Sequence, residues 1–185
     1  EIDFLLERER QAGTLQRMLD RGELPLRVTH NDTKINNVLF HPENYSPMIV
    51  IDLDTVMPGM SLYDFGDSIR FGAATAAEDE PDVSKMQLDL ELFEAYTRGY
   101  LEGASALTAT EVAMLPMGAF VMTMEVAVRF LKDYLDGDLY FKIAYADHNL
   151  VRARSQMALV ADMQEKWAEM NRIVAEEAAR MGWKI

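Results

Sequence analysis

The chain has 185 residues, 49% of them hydrophobic, and its 31 acidic against 18 basic side chains give a formal charge of −13. This is enough for one compact domain with a sizeable core, and the negative field repels nucleic acid and anionic membranes, so neither is expected as a partner. The absence of cysteine removes disulfides, thiolate nucleophiles and zinc–thiolate sites, and fits a reducing cytoplasmic setting.

The first residues, beginning at Glu1 without methionine and already in helical pattern, suggest a fragment or a trimmed chain. Ile2, Leu5, Leu6, Ala12, Leu15, Met18 and Leu19 recur at helical spacing until Gly22 and Pro25, which predicts one amphipathic helix. From Leu26 to Asp54 the pattern turns to short β-like runs: Arg27–Thr29, Asn37–Phe40 and Met48–Asp52. The turn formers of His41–Pro47 lie between the last two, so a β-hairpin is expected there. A short helix is predicted over Tyr63–Ala77, followed by an acidic solvated loop at Glu78–Asp82. Ser84 with Gln87 reads as a capping box opening a helix that carries Leu88, Leu92, Tyr96 and Tyr100 on one face. Thr108 with Glu111 repeats the device ahead of a Met-rich helix to about Leu135, which Pro116 should break or kink. Asn149–Met181 is predicted as one long helix. No run reaches the roughly 18 to 20 apolar residues needed to span a bilayer. The expected fold is mainly α with a small β-hairpin, a single domain over residues 1–185. Within it lie a loop region at 28–40, a strand end at 48–54 and a helical bundle at 60–185.

The chemistry concentrates before the bundle. His30-Asn31-Asp32-Thr33-Lys34-Ile35-Asn36-Asn37 contains His-x-Asp-x-x-x-x-Asn, the spacing of a kinase catalytic loop, and a carboxylate, Asp52, follows at the end of the hairpin's second strand. Phosphoryl transfer asks a protein to align a hydroxyl with the γ-phosphate and to neutralise charge on its oxygens. Asp32 suits the role of proton acceptor or orienter of that hydroxyl. Lys34 can place an ammonium near the transferring group. Asn37 and Asp52 offer hard oxygens of the kind magnesium shares with water and phosphate. The apolar run ahead of Asp52 suggests a buried strand with the carboxylate at its mouth. Asp54 remains open as second metal ligand, substrate-hydroxyl acceptor or solvated residue, and Asp67 reads as a first-turn helix charge.

The segment from His30 to Asp52 resembles the catalytic loop and metal aspartate of the protein-kinase-like superfamily, in its aminoglycoside phosphotransferase and choline kinase branch. Ile51–Gly59, Tyr63–Asp67, Arg129–Asp138 and Asp147–Arg154 extend the likeness toward the N-acetylhexosamine 1-kinases. The resemblance implies the C-terminal lobe of that fold and an ATP- and magnesium-dependent transfer to the anomeric hydroxyl of an N-acetylhexosamine. It also implies that the N-terminal nucleotide-clamping lobe is missing, so that the isolated chain binds nucleotide poorly and turns over little. It makes His30 a buried support of the loop, Asp64 a structural aspartate beginning the next helix, and Arg129 and Tyr140 candidate sugar contacts. For Arg129 an ordinary i,i+4 pair with Glu125 is the alternative. An aminoglycoside, choline or homoserine-type acceptor, and a non-catalytic domain on the same scaffold, stay open; an acidic cleft would favour a cationic acceptor and a neutral sugar would need directional hydrogen bonds.

Overall fold

A computed structural model describes all of residues 1–185. Helices α1 (Ile2–Leu6), α2 (Glu9–Ala12) and α3 (Thr14–Asp20) lead into strand β1 (Arg27–Thr29), then β2 (Val38–Phe40), β3 (Pro47–Val50) and β4 (Met57–Gly59). The rest is helical: α4 (Ser61–Gly72), α5 (Leu90–Gly103), α6 (Ala109–Ala113), α7 (Leu115–Asp136), α8 (His148–Glu165) and α9 (Trp167–Arg180). The expected mainly α architecture with a small hairpin is present in coarse outline. β2 and β3 form the hairpin, in antiparallel register Val38↔Val50 and Leu39↔Ile49. A second two-stranded ribbon, not expected from sequence, pairs β1 with β4 in the register Arg27↔Gly59 to Thr29↔Met57.

Helix α7 is the spine of the bundle, packed most extensively against α4 and α8. Its approach to α4 depends on two glycines. A Cβ on Gly66 would stand 2.2 Å from the Gly118 carbonyl oxygen, and one on Gly118 would stand 2.5 Å from that of Leu62. With backbones this close, Leu62, Phe65 and Ile69 of α4 enter one core with Leu115, Phe120 and Met124 of α7 and Leu159, Val160 and Met163 of α8. Those α4 side chains recur at intervals of three and four residues, so the opposite face of the same helix, with Asp64 and Asp67, is turned to the loop after β1.

Several elements depart from the sequence pattern. The first helix is cut into three, because Arg8 folds back to donate to the Phe4 carbonyl and Gly13 leaves helical geometry. Helix α4 stops at Gly72, after which the chain turns to form a bridge between Ala74 and Leu88. The Ser84–Gln87 capping box is not used: Gln87 donates its backbone N–H to Thr75 Oγ1, and the helix starts one turn later, where Asp89 accepts from Glu91 and Leu92. The Thr108–Glu111 box is formed as expected, and Pro116 sits in the first turn of α7, where its missing N–H costs nothing. The long C-terminal helix breaks at Lys166, whose ammonium reaches the Leu88 carbonyl and the Asp162 carboxylate. Strand β3, expected to be buried, is exposed along its whole length, and with Leu39, Phe40, Leu53, Val56 and Met57 it presents an apolar outer face.

Candidate active site

β1 delivers the chain to residues 30–37, and α4 holds this loop from below. Asp64 does not cap its own helix, which begins without a side-chain cap. Its two oxygens instead accept the backbone N–H groups of His30 and Asn31, each at 2.8 Å. Burial pushes the Asp64 carboxyl upward, and those two amides oppose the push without cancelling it. One turn further on, Asp67 accepts the Thr33 N–H at 2.9 Å, while the Thr33 hydroxyl donates to the Asp64 carbonyl. Asp67 is no first-turn surface charge. It is 5% exposed and is gripped through its other oxygen by the buried Arg70 guanidinium, at 3.1 and 2.9 Å, because a carboxylate taken out of water needs a partner.

His30 ties the loop to the hairpin. Its Nε2 lies 3.0 Å from the Ile51 carbonyl and its Nδ1 accepts the Asp32 N–H at 3.3 Å, so the proton is assigned to Nε2. Asn31, at φ 64, donates to the Thr55 carbonyl, and the Thr55 hydroxyl donates to the His30 carbonyl. The Ile51 N–H in turn donates to the Asn37 carbonyl at 2.9 Å. The segment carrying Asp52 and Asp54 is thereby stitched to both ends of the loop.

Around Asp32 the hydrogen bonds are one-sided. Oδ2 accepts both the Lys34 ammonium and the Asn37 amide, each at 2.9 Å, leaving Oδ1 free of protein donors. Burial alone would raise this carboxyl. The Lys34 and Asn37 hydrogen bonds, with the Lys34 charge, outweigh it and hold the group below the ordinary carboxylate value. Asn37 is 5% exposed; its Nδ2 is committed to Asp32, including the backbone carbonyl at 2.8 Å, so its amide oxygen is the atom left over. Asp52 is exposed, in a left-handed conformation at φ 62, ψ 55, a region that aspartate tolerates better than most side chains. No protein hydrogen bond engages its carboxylate.

Asp32 and Lys34 open into a cleft of about 340 Å³ walled by Asp67, Arg70 and Phe71 of α4, Glu125 and Arg129 of α7, Phe141, and Arg152 of α8. Arg129 is 3.6 Å from Glu125 and stands over the rings of Tyr140 and Phe141, at 5.6 and 5.3 Å. Tyr140 lines an adjoining hollow of about 260 Å³ that Arg129 and Phe141 share. Of the candidate substrate contacts, Arg129 therefore lies in the cleft with Asp32 and Tyr140 next door, while Asp54 lines neither. The sequence pattern gives no site role to Asp67, read as a first-turn charge, or to Arg70 and Arg152. The Asp67–Arg70 spacing of three was readable as a helical pair, but its burial under the loop was not.

The pattern of the phosphotransferase enzyme family (APH) matches residues 2–107, more than half of the chain. The chain belongs to this family. The matched stretch takes in the loop, the hairpin, α4 and α5, and ends before Arg129, Tyr140 and Arg152. Membership brings phosphotransferase activity toward a small molecule, and kinases of the APH family generally use ATP with Mg²⁺. No helix is long and apolar enough to cross a membrane.

Proposed function

We propose that this APH protein transfers the γ-phosphoryl group of ATP to the anomeric hydroxyl of an N-acetylhexosamine. The observation that carries the transfer is the half-occupied Asp32 carboxylate: one oxygen saturated by Lys34 and Asn37, the other turned loose at a cleft of the size of small-molecule sites. In that position Asp32 accepts the proton of the acceptor hydroxyl, or orients it in line with the phosphate. Lys34 steadies the carboxylate and supplies positive charge beside the transferring group. His30 and Asp64 keep the loop in shape. Arg129 and Tyr140, and in the closed complex Asp54, contact the sugar.

The donor chemistry fits magnesium. The free Asn37 amide oxygen and the unengaged Asp52 carboxylate are hard oxygen ligands on adjoining segments, and nowhere are three His, Cys, Asp or Glu side chains gathered to cage a metal by themselves. A cation held by Asn37 and Asp52 would complete its shell with water and phosphate oxygens, the usual preference of Mg²⁺, and when bound it neutralises phosphate charge in a protein whose own field is negative. The apolar outer face of the hairpin is the surface on which a nucleotide base and a separate N-terminal lobe would close. An ATP-consuming sugar kinase belongs in the cytoplasm.

The choice of a neutral acceptor rests on charge. Against a whole-chain charge of −13, the residues lining the cleft include five cations, Lys34, Arg70, Arg129, Lys142 and Arg152, and four carboxylates, Asp32, Asp67, Glu78 and Glu125. Such a wall does not attract a polycationic aminoglycoside or a quaternary ammonium; its many fixed donors and acceptors suit hydroxyls and an acetamido group. Incubating the full protein with Mg-ATP and a panel of acceptors tests this. Phosphorylation of N-acetylglucosamine or N-acetylgalactosamine at the anomeric carbon, read by ³¹P NMR, is expected. Turnover of an aminoglycoside, choline or homoserine with none of either hexosamine would overturn it.

A further inference from the structure

Four arginines are buried or half-buried: Arg8, Arg27, Arg70 and Arg152. Three of them have carboxylate partners, Arg8 with Glu7, Arg27 with Glu111, and Arg70 with both Asp67 and Glu78. Arg152 has none. Its Nη1 donates to neutral oxygens only, Asn149 Oδ1 at 3.1 Å and the Lys142 carbonyl at 3.2 Å, and its Nε is buried with no partner in the protein. A guanidinium half-withdrawn from water without a counter-charge is costly to keep, and its neighbours hold this one in place. It lies against the Phe130 ring at 5.4 Å. Asn149, fully buried, is fixed through its amide nitrogen by Asp133 at 2.9 Å and Asp138 at 2.8 Å. The same Asp133 carboxylate gathers the N–H groups of Leu139, Tyr140 and Phe141. The wall of the cleft and the arginine set into it are thus one hydrogen-bonded unit.

We propose that Arg152 is the acceptor-anchoring residue, donating from its guanidinium to a carbonyl or carboxylate oxygen on the molecule that enters the cleft beside Asp32. The chemistry is that of a planar fork of N–H donors meeting a strong oxygen acceptor, and the ligand's oxygen provides the partner that the protein withholds. In the hexosamine reading, on which this identification rests, the oxygen is that of the N-acetyl group; the same fork serves a uronic acid carboxylate.

The test is an NMR titration of the chain with three sugars that differ at this group, following the Arg152 guanidinium Nε–H signal, assigned by its loss in R152K. N-acetylglucosamine carries an amide carbonyl, glucuronate a carboxylate, and glucose neither. A saturable shift with N-acetylglucosamine and none with glucose is the expected result. A shift with glucuronate but not with N-acetylglucosamine would keep the anchor and end the hexosamine reading. No shift with any of the three, or the same shift with glucose, would overturn the role of Arg152, and would do so even if the acceptor screen had shown a hexosamine to be phosphorylated.

Discussion

The environment of Asp32 sets how its loss and its titration should appear in kinetics. If it takes or orients the acceptor proton, D32N should lower kcat by roughly 10² to 10⁴, the range of a positioned acid or base, measured by coupled ADP release in the full protein. A fall of less than threefold would remove Asp32 from that role. The same carboxylate must be ionised to work, and Lys34 and Asn37 hold its pKa below the usual carboxylate range. Activity should accordingly persist as pH falls through the ordinary range and decline only below it; in K34M, which deletes the ion pair, the acidic limb should move to higher pH. A limb that stays in place would separate Lys34 from the tuning of Asp32. At this scale the sequence was informative, because His30, Asp32 and Asn37 lie within eight residues and one turn of chain brings them together. Asp67 read as a surface charge and Arg152 carried no signal of its own, because their importance comes from elements far along the chain: the Thr33 amide in one case, and the lack of any carboxylate in the other.

Among the elements, the ribbon that aims the loop is anchored by a single carboxylate. Glu111, 1% exposed, accepts from Arg27 of β1 through both oxygens, at 2.6 Å each. It also accepts from Ser61 at the start of α4 at 2.7 Å and from the Thr108 N–H at 2.7 Å. Burial raises its carboxyl, but the Arg27, Thr108 and Ser61 hydrogen bonds prevail and bring it down to about 2 from 4.5. A depressed carboxylate stabilises the fold fully above its unfolded pKa and loses that contribution as pH falls through the folded value. E111Q should therefore cost about 2 kcal/mol near neutral pH, with solvent screening allowed for. Denaturant melts should show the gap between wild type and variant shrinking from pH 4.5 down toward 2; a gap independent of pH would assign the cost to packing alone. The Thr108–Glu111 capping box was visible in the sequence, and so was the Pro116 interruption. Other boundaries were not. Thr75 and Asp162 capture the backbone around Gln87 and Leu88, delaying α5, and Lys166 bends the last helix toward the same bridge; tertiary hydrogen bonds overrode local helix signals in both places.

For the whole molecule, helical periodicity and the turn-rich hairpin sufficed to indicate a mainly α fold with a small β portion. Two features were beyond periodicity. An alternating or continuous apolar run cannot tell a buried strand from an exposed one, so β3 was expected inside and stands outside. Net charge likewise averages over the surface, whereas function depends on where the charges fall: a chain of −13 encloses a cleft with one more cation than carboxylates. The account of that cleft stands or falls on whether Asn37 and Asp52 meet a nucleotide-bound cation beside Asp32. Titrating the isotope-labelled chain with Mn²⁺-ATP and reading paramagnetic broadening tests this most directly. The signals of Asn37 and Asp52 are predicted to broaden first, with Asp32 and Lys34 next; broadening centred instead on the acidic Glu78–Asp82 loop, with the 30–54 segment untouched, would contradict it.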